Sequence, residues 1–332
     1  MKSLLCLAAL LLPTAIRAAS RTSAPSGCIT AGSGGTYSTI QGAVNSLSTS
    51  STSAQCIFIK PGTYKEQVLV PSRSAQLTFY GYTTDTLSYG SNVVTITNDL
   101  AAASGLSDDE TGTLRIKSAN FKAYNLNVVN SYGPGSQAIA LSAYADSGYY
   151  ACQFKGYQDT VLAQKGYQLY ANCYIEGATD FIFGQYARAW FNRVDIGVLT
   201  KINRADGTIT ANGRVKDGIS YYVFNSCHIA AASGNNVPSG KYYLGRPWSE
   251  YAHVVFQYTT MTDVINSAGW KEWASAAPNT DNVFLGEYGN AGAGASTAGR
   301  VGFAKILSSA VSINTILGSG YAGAGYYDSA YM

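Results

Sequence analysis

The chain has 332 residues, a formal charge of +3, charged residues at only 12%, 35 glycines and 26 tyrosines. So small a net charge gives no electrostatic case for nucleic acid or an anionic membrane as partner. Few charges among many Gly, Ser, Thr and Tyr suit a secreted β-rich protein better than a cytosolic helical one.

The chain begins as a targeting signal. Lys2 supplies the positive start, Leu4 to Leu12 an apolar run, and Ala15 to Ala19 small residues for cleavage. Residues 1–18 therefore predict a signal peptide, with a short membrane anchor as the alternative. The run is too short to span a bilayer, and no later segment offers about 18 apolar residues. Loss of Lys2 and Arg17 takes the charge from +3 to +1. The mature chain, 19–332, is expected to be one secreted domain, since repeat folds need no division at that length.

Cys6 leaves with the signal. Cys28 and Cys56 each precede a β-like run, so paired strands there would permit a disulfide on the oxidising route. Cys152 and Cys173 are compatible with a disulfide or with an unbonded interior stack, and Cys227 is left over. No CxxC occurs and the only histidines are His228 and His253, so a zinc site is not expected.

Ser20 to Ser26 reads as a loose lead-in. Ile40, Ala43, Val44 and Leu47 then fall at i, i+3, i+4 and i+7, one face of a short helix placed to cap an open sheet edge. From Cys56 to Val129, short β runs are broken by Gly, Pro, Asn and Asp: Ile57–Ile59, Val68–Val70, Leu77–Tyr80, Val93–Ile96 and Asn125–Val129. Such spacing suits a sandwich or a parallel solenoid. A repeat decides between them.

Cys152-Gln-Phe-Lys-Gly156-Tyr-Gln-Asp159-Thr-Val161-Leu-Ala-Gln164 is echoed by Cys173-Tyr-Ile-Glu-Gly177-Ala-Thr-Asp180-Phe-Ile182-Phe-Gly-Gln185. Cys, Gly, Asp and Gln recur at one period, as stacked coils require. Gln137–Leu141 extends the echo backwards as a first rung. Asp159 and Asp180 are thus expected on neighbouring strands, about 5 Å apart, with Gln137 and Gln158 in the same patch. Parity leaves open which side chains face outward, because Val161-Leu162 and Ile182-Phe183 are apolar at both phases. Beyond Gln185 the period loosens. Tyr221–Phe224 and His253–Phe256 still read as strands, and the Gly-rich tail after Asn290 carries one helix-like piece around Ala304 to Leu307, packed along the solenoid or capping it.

Two carboxyls this close cannot both ionise easily, which leaves an acid beside a carboxylate. Their spacing fits ester or glycoside chemistry. The glutamines favour acyl chemistry, because NH₂ donors suit a tetrahedral oxyanion whereas an oxocarbenium ion prefers negative charge. Arg246, followed by Pro247 and Trp248, could hold one carboxylate ionised. Alone, Gly-Arg-Pro-Trp would more often be structural; beside an aspartate pair the functional reading is preferred.

Gly156–Thr160, Ile175–Gly184, Gly133–Leu141 and Leu244–Trp248 resemble motifs of the pectin methylesterases, and Pro61–Glu66 and Glu287–Gly292 resemble further family segments. The wording is closest to fungal members. The resemblance implies an all-β, right-handed, single-stranded parallel β-helix with a short N-terminal capping helix and an irregular C-terminal tail. It implies hydrolysis of methyl esters of polygalacturonate, with pectin and water as substrates and without metal or cofactor; the length of the solenoid itself permits a monomer, which is the expected state. By motif position, Asp180 would be the nucleophile and Asp159 the acid and then base. Gln158 and Gln137 would steady the oxyanion, Arg246 would fix Asp180, and Trp248 and Phe183 would line the sugar cleft. A β-helix hydrolase or lyase acting on pectin, and a non-catalytic polysaccharide-binding solenoid, are the alternatives.

Overall fold

The computed structural model describes residues 19–201 and 206–332. The expected signal peptide, 1–18, lies outside them. Strands come in coils of three, and each strand pairs in parallel with its counterpart one coil away. The result is a right-handed parallel β-helix walled by sheets of eleven, eight and seven strands. Among the described residues no helix is long and apolar enough to cross a membrane.

Why the coils stack is written along the inside. Every strand turns alternate side chains inward, and the inward residues are apolar and line up. Tyr149, Tyr170, Phe191, Phe224 and Phe256 form a ladder of parallel rings, with centroids 4.8, 4.5, 4.3 and 4.3 Å apart. Burying each such ring contributes on the order of 1.5–3 kcal/mol, so register is held by the sum over the ladder. Cys152 and Cys173 belong to the same interior and are free and buried, as is Cys227. Of the two possibilities for that pair, the unbonded stack is the one present. Cys28 and Cys56 form the disulfide, next to the parallel pairing of Ile29–Ala31 with Gln55–Ile59.

The capping helix spans Ile40–Ser46, with the Thr39 hydroxyl accepting the Gly42 N–H at its start. Ile40, Ala43 and Val44 are buried over the open N-terminal end of the core.

Four expectations change. The lead-in is pinned: Arg21 bridges to Thr83, donates to the Gly81 carbonyl and Asn125 Oδ1, and lies over the rings of Tyr80 and Tyr124. Ala304–Ile306 is a strand, because the free edge of Phe284–Tyr288 offers backbone partners that outweigh local helix preference. The tail's short helix is Ile313–Leu317 instead. The first rung is offset by one residue, since Leu141 pairs with Val161 rather than Leu162. The N–H groups of Ala140 and Leu141 both donate to the Thr160 carbonyl, which absorbs the extra residue. Finally, Asp159 lies in a turn just ahead of its strand, Val161–Ala163, whereas Asp180 is the second residue of Thr179–Gly184.

Candidate active site

The seven-stranded sheet carries the site. Its order includes the neighbours Leu114–Ile116, Leu141–Ala143, Val161–Ala163, Thr179–Gly184, Gly207–Asn212 and Tyr242–Gly245. Here the parity question is resolved. Val161 and Ile182 point into the core, while Leu162 and Phe183 point outward, packed with Ile139, Ala211, Tyr144, Trp248 and Trp273.

The repeated glycines explain how the turns are made. A Cβ on Gly156 would stand 2.8 Å from Thr160 Oγ1, and one on Gly177 would stand 2.3 Å from Phe181 Cβ. Both turns fold so sharply that the side chain four residues on crosses over the glycine. Asp159 and Asp180 follow at φ 64° and 48°, in the left-handed region that Asp tolerates better than most residues. Left-handed geometry of this kind costs about 1–3 kcal/mol per residue where it persists. The backbone N–H of Asp159 donates to the Thr179 carbonyl at 3.1 Å, and Gln158 pairs with Thr179 across the coils.

The two carboxyls live in different surroundings. Asp180 receives Arg246 Nη2 at 2.6 Å on Oδ2 and Arg246 Nε at 3.0 Å on Oδ1. The Thr208 hydroxyl donates to the same Oδ1 at 2.6 Å, and its oxygen accepts the Asp180 N–H at 3.2 Å. Arg246 is fixed in turn by donating to the Trp273 carbonyl at 3.0 Å and lying 4.1 Å over the Trp273 ring. Burial opposes the charge of Arg246, but the hydrogen bonds and charge of Asp180 outweigh it and raise its pKa. Asp159 has no such support. It is 7% exposed and its Oδ1 is buried without a hydrogen-bond partner. Burial first, then the charges of Asp180 and Asp108, push its carboxyl well above the usual carboxylate range, and Arg246 offsets only part of this.

A cavity of about 220 Å³ gathers the set: Asp108, Gln137, Gln158, Asp159, Asp180, Phe183, Ala211, Arg246, Trp248 and Trp273. All seven residues expected from the sequence line it. Three that matter were not anticipated: Asp108, Thr208 and Trp273. Asp108 lay inside a readable helix-start signature, Ser107-Asp-Asp-Glu110, which forms a capping box. That signature says nothing of what the helix overlooks. Trp273 sits three residues after Trp270, a local density of tryptophan that was the available signal. Thr208 falls where coil length has changed, so the period does not reach it.

A larger groove of about 530 Å³ opens on the eight-stranded sheet, lined among others by Tyr89, Lys155, Tyr174, Glu176, Asp195 and His228. Its tyrosine hydroxyls are already committed, Tyr89 to Asp195 at 2.6 Å and Tyr174 to Glu176 at 2.7 Å. It holds no strained or unpartnered acid comparable to Asp159. Among the described residues no three His, Cys, Asp or Glu side chains are grouped to hold a metal ion.

Residues 28–316 match the family model for Pectinesterase. The chain belongs to the pectinesterase family. It is 53% identical over 330 residues to the pectinesterase of Aspergillus niger, covering 98% of each chain, and 53% identical over 331 residues to that of Aspergillus aculeatus, again at 98% of each. Among solved structures, the pectin methylesterase of Aspergillus niger superposes with a TM-score of 0.86 at 44% identity, over 94% of this chain and 100% of that one. The carrot pectin methylesterase gives 0.82 at 29% identity, over 92% and 98%. As a pectinesterase the chain is a carboxylic ester hydrolase, and its cleft holds the aspartate pair described above.

Proposed function

We propose that this pectinesterase hydrolyses the methyl esters of pectin with Asp180 as nucleophile and Asp159 as proton donor and acceptor. The inequality of the two carboxyls carries the reading. Asp180 is gripped by the Arg246 guanidinium and the Thr208 hydroxyl, which fix and aim its carboxyl. Asp159, buried and with an unpartnered oxygen, keeps a proton at pH values where an ordinary aspartate has lost it.

Asp180 would attack the carbonyl carbon of the methyl ester, and negative charge would develop on the carbonyl oxygen. Gln137 and Gln158 face the cavity, and their NH₂ groups would donate to that oxygen, as neutral donors do for a tetrahedral intermediate. Collapse expels methoxide, which takes the Asp159 proton and leaves as methanol. An anhydride between Asp180 and the galacturonate carbonyl remains. Asp159, now a carboxylate, removes a proton from water as water attacks the anhydride, and this regenerates both side chains. Trp248, Trp273 and Phe183 supply apolar faces for the sugars.

We also propose that residues 1–18 are a cleaved leader and that 19–332 act outside the cell as one domain. The Cys28–Cys56 disulfide fits an oxidising compartment.

The test is Asp180→Ala and Asp159→Ala on highly methylated pectin at constant pH, with methanol and viscosity followed together. Wild type should release methanol without loss of viscosity. Asp180→Ala should release none and Asp159→Ala almost none, with the circular dichroism of wild type. Near-normal turnover in Asp180→Ala would overturn the assignment.

A further inference from the structure

Asp108 takes no part in the chemistry above, yet it lines the same cavity. It begins the short helix Asp108–Thr111, which leads into the strand Leu114–Ile116. That strand lies on the N-terminal side of Val161–Ala163, which Asp159 precedes, and of Thr179–Gly184, which carries Asp180. Trp248 and Trp273 close the opposite, C-terminal flank, together with Arg246. The two ends of the cleft therefore differ: a carboxyl at one and two indoles at the other, the Arg246 guanidinium being committed to Asp180.

The cations near Asp108 are already taken. Its neighbour Asp109 receives Arg115 at 2.6 Å, Lys117 at 2.7 Å and the Ser142 hydroxyl at 2.6 Å. Those bonds outweigh burial and hold Asp109 below the usual carboxylate range. Asp108 has no ion-pair partner among the described residues. Its negative charge also reaches Asp159.

We infer that Asp108 is a specificity-determining residue that selects a methyl-esterified sugar, and rejects a free galacturonate, at the position flanking the reaction centre on its N-terminal side. This rests on the reading of Asp159 and Asp180 given above. Each turnover converts a neutral ester into a carboxylate, so the polymer acquires charge as it is processed. A carboxylate brought beside an unpaired Asp108 meets like-charge repulsion in a partly desolvated cleft. A neutral ester does not. The indole flank contributes no acid to the lining of the cavity.

The experiment compares kcat/KM per ester on two pectins of one backbone, one highly methylated and one randomly de-esterified by base, near pH 7. Wild type should prefer the first. Asp108→Asn should reduce that preference on the order of fivefold, as expected for unit charges about 8 Å apart in a medium between protein surface and water. The preference of wild type should also shrink with added salt, and that of the variant should change little. Asp108→Glu, which keeps the charge, should retain a preference above that of the Asn variant. Because Asp108 also influences Asp159, both substrates can lose or gain rate together; the ratio is the readout. An unchanged ratio in Asp108→Asn would overturn the inference while leaving the nucleophile untouched. Activity surviving in Asp180→Ala would instead remove the reading on which it rests.

Discussion

Thr208 offers the sharpest test of how Asp180 is aimed. Thr208→Val keeps the shape of the side chain and removes its hydroxyl, which donates to Asp180 Oδ1 at 2.6 Å and accepts the Asp180 N–H at 3.2 Å. Two effects then compete. A nucleophilic carboxylate loses charge as it attacks, so deleting a donor that stabilises the anion should by itself help the reaction. A hydrogen bond to a charged group is worth about 1.5–3 kcal/mol, and with roughly half of it felt at the transition state the gain is at most about tenfold. Against this stands orientation. Asp180 holds a left-handed backbone at φ 48°, and its N–H would be left buried without an acceptor, at about 1–3 kcal/mol. Relaxation of that turn moves the carboxylate, and a misplacement of about 1 Å costs on the order of 10²-fold. Orientation should win. Steady-state methanol release should show kcat reduced about tenfold or more with KM little changed, and Thr208→Ser should recover most of the loss. A kcat at or above wild type in a folded Thr208→Val protein would mean that the pair with Arg246 alone positions the nucleophile.

Other outcomes follow from the same surroundings. The raised pKa of Asp159 favours its neutral form in the folded state, so its contribution to stability is complete below the unfolded value of about 3.9 and is lost as pH rises through the folded value. Asp159→Asn cannot ionise, so its melting temperature should exceed that of wild type increasingly between pH 4 and pH 8, although it is inactive; a constant offset in calorimetry would contradict the cause assigned to the shift. Gln158→Ala should lower kcat by about 10² to 10³ if its NH₂ serves the oxyanion, as single-turnover methanol release can determine. At the C-terminal end, Arg300 and Glu287 are only 3% and 2% exposed and paired at 2.7 Å. Arg300→Leu should destabilise by about 3–5 kcal/mol in urea unfolding, because it leaves Glu287 buried and uncompensated. Cys28→Ser with Cys56→Ser opens a link between residues 28 apart and should cost about 3.6 kcal/mol in the same assay.

The two-copy segment from Cys152 to Gln185 made stacked coils legible, because equal spacing of Gly, Asp and Gln has a physical meaning only if the copies lie side by side. The recurring glycines were visible as a pattern, but their purpose, clearance for Thr160 and Phe181, needed coordinates. The one-residue offset of Leu141 could not be read, since Leu141 matches Leu162 as well in character as it does Val161. Facing was equally hidden where consecutive residues are all apolar. Asp108, Thr208 and Trp273 come from segments outside the repeat, and nothing local tells a chain that a distant coil will bring them over one cleft. Ala304–Ile306 became a strand for a similar reason: an unpaired edge elsewhere decided its conformation.

The left-handed residues Asn125, Ala151, Asn172, Arg193, Ser226 and Tyr258 mark one corner of successive coils. From Ala151 to Arg193 they recur at even spacing; after Arg193 the gaps lengthen, yet the corner itself is conserved in geometry. Extra chain is therefore taken up elsewhere around the coil. Part of it lies beside the cleft, as in the stretch after Gly245 that carries Arg246 and Trp248. A scaffold built this way separates two kinds of inheritance. Insertions on the open side can reshape what the enzyme accepts, coil by coil, while the corner and the ring ladder go on indexing the stack. Loop grafting between relatives should accordingly transfer substrate preference without refitting the core.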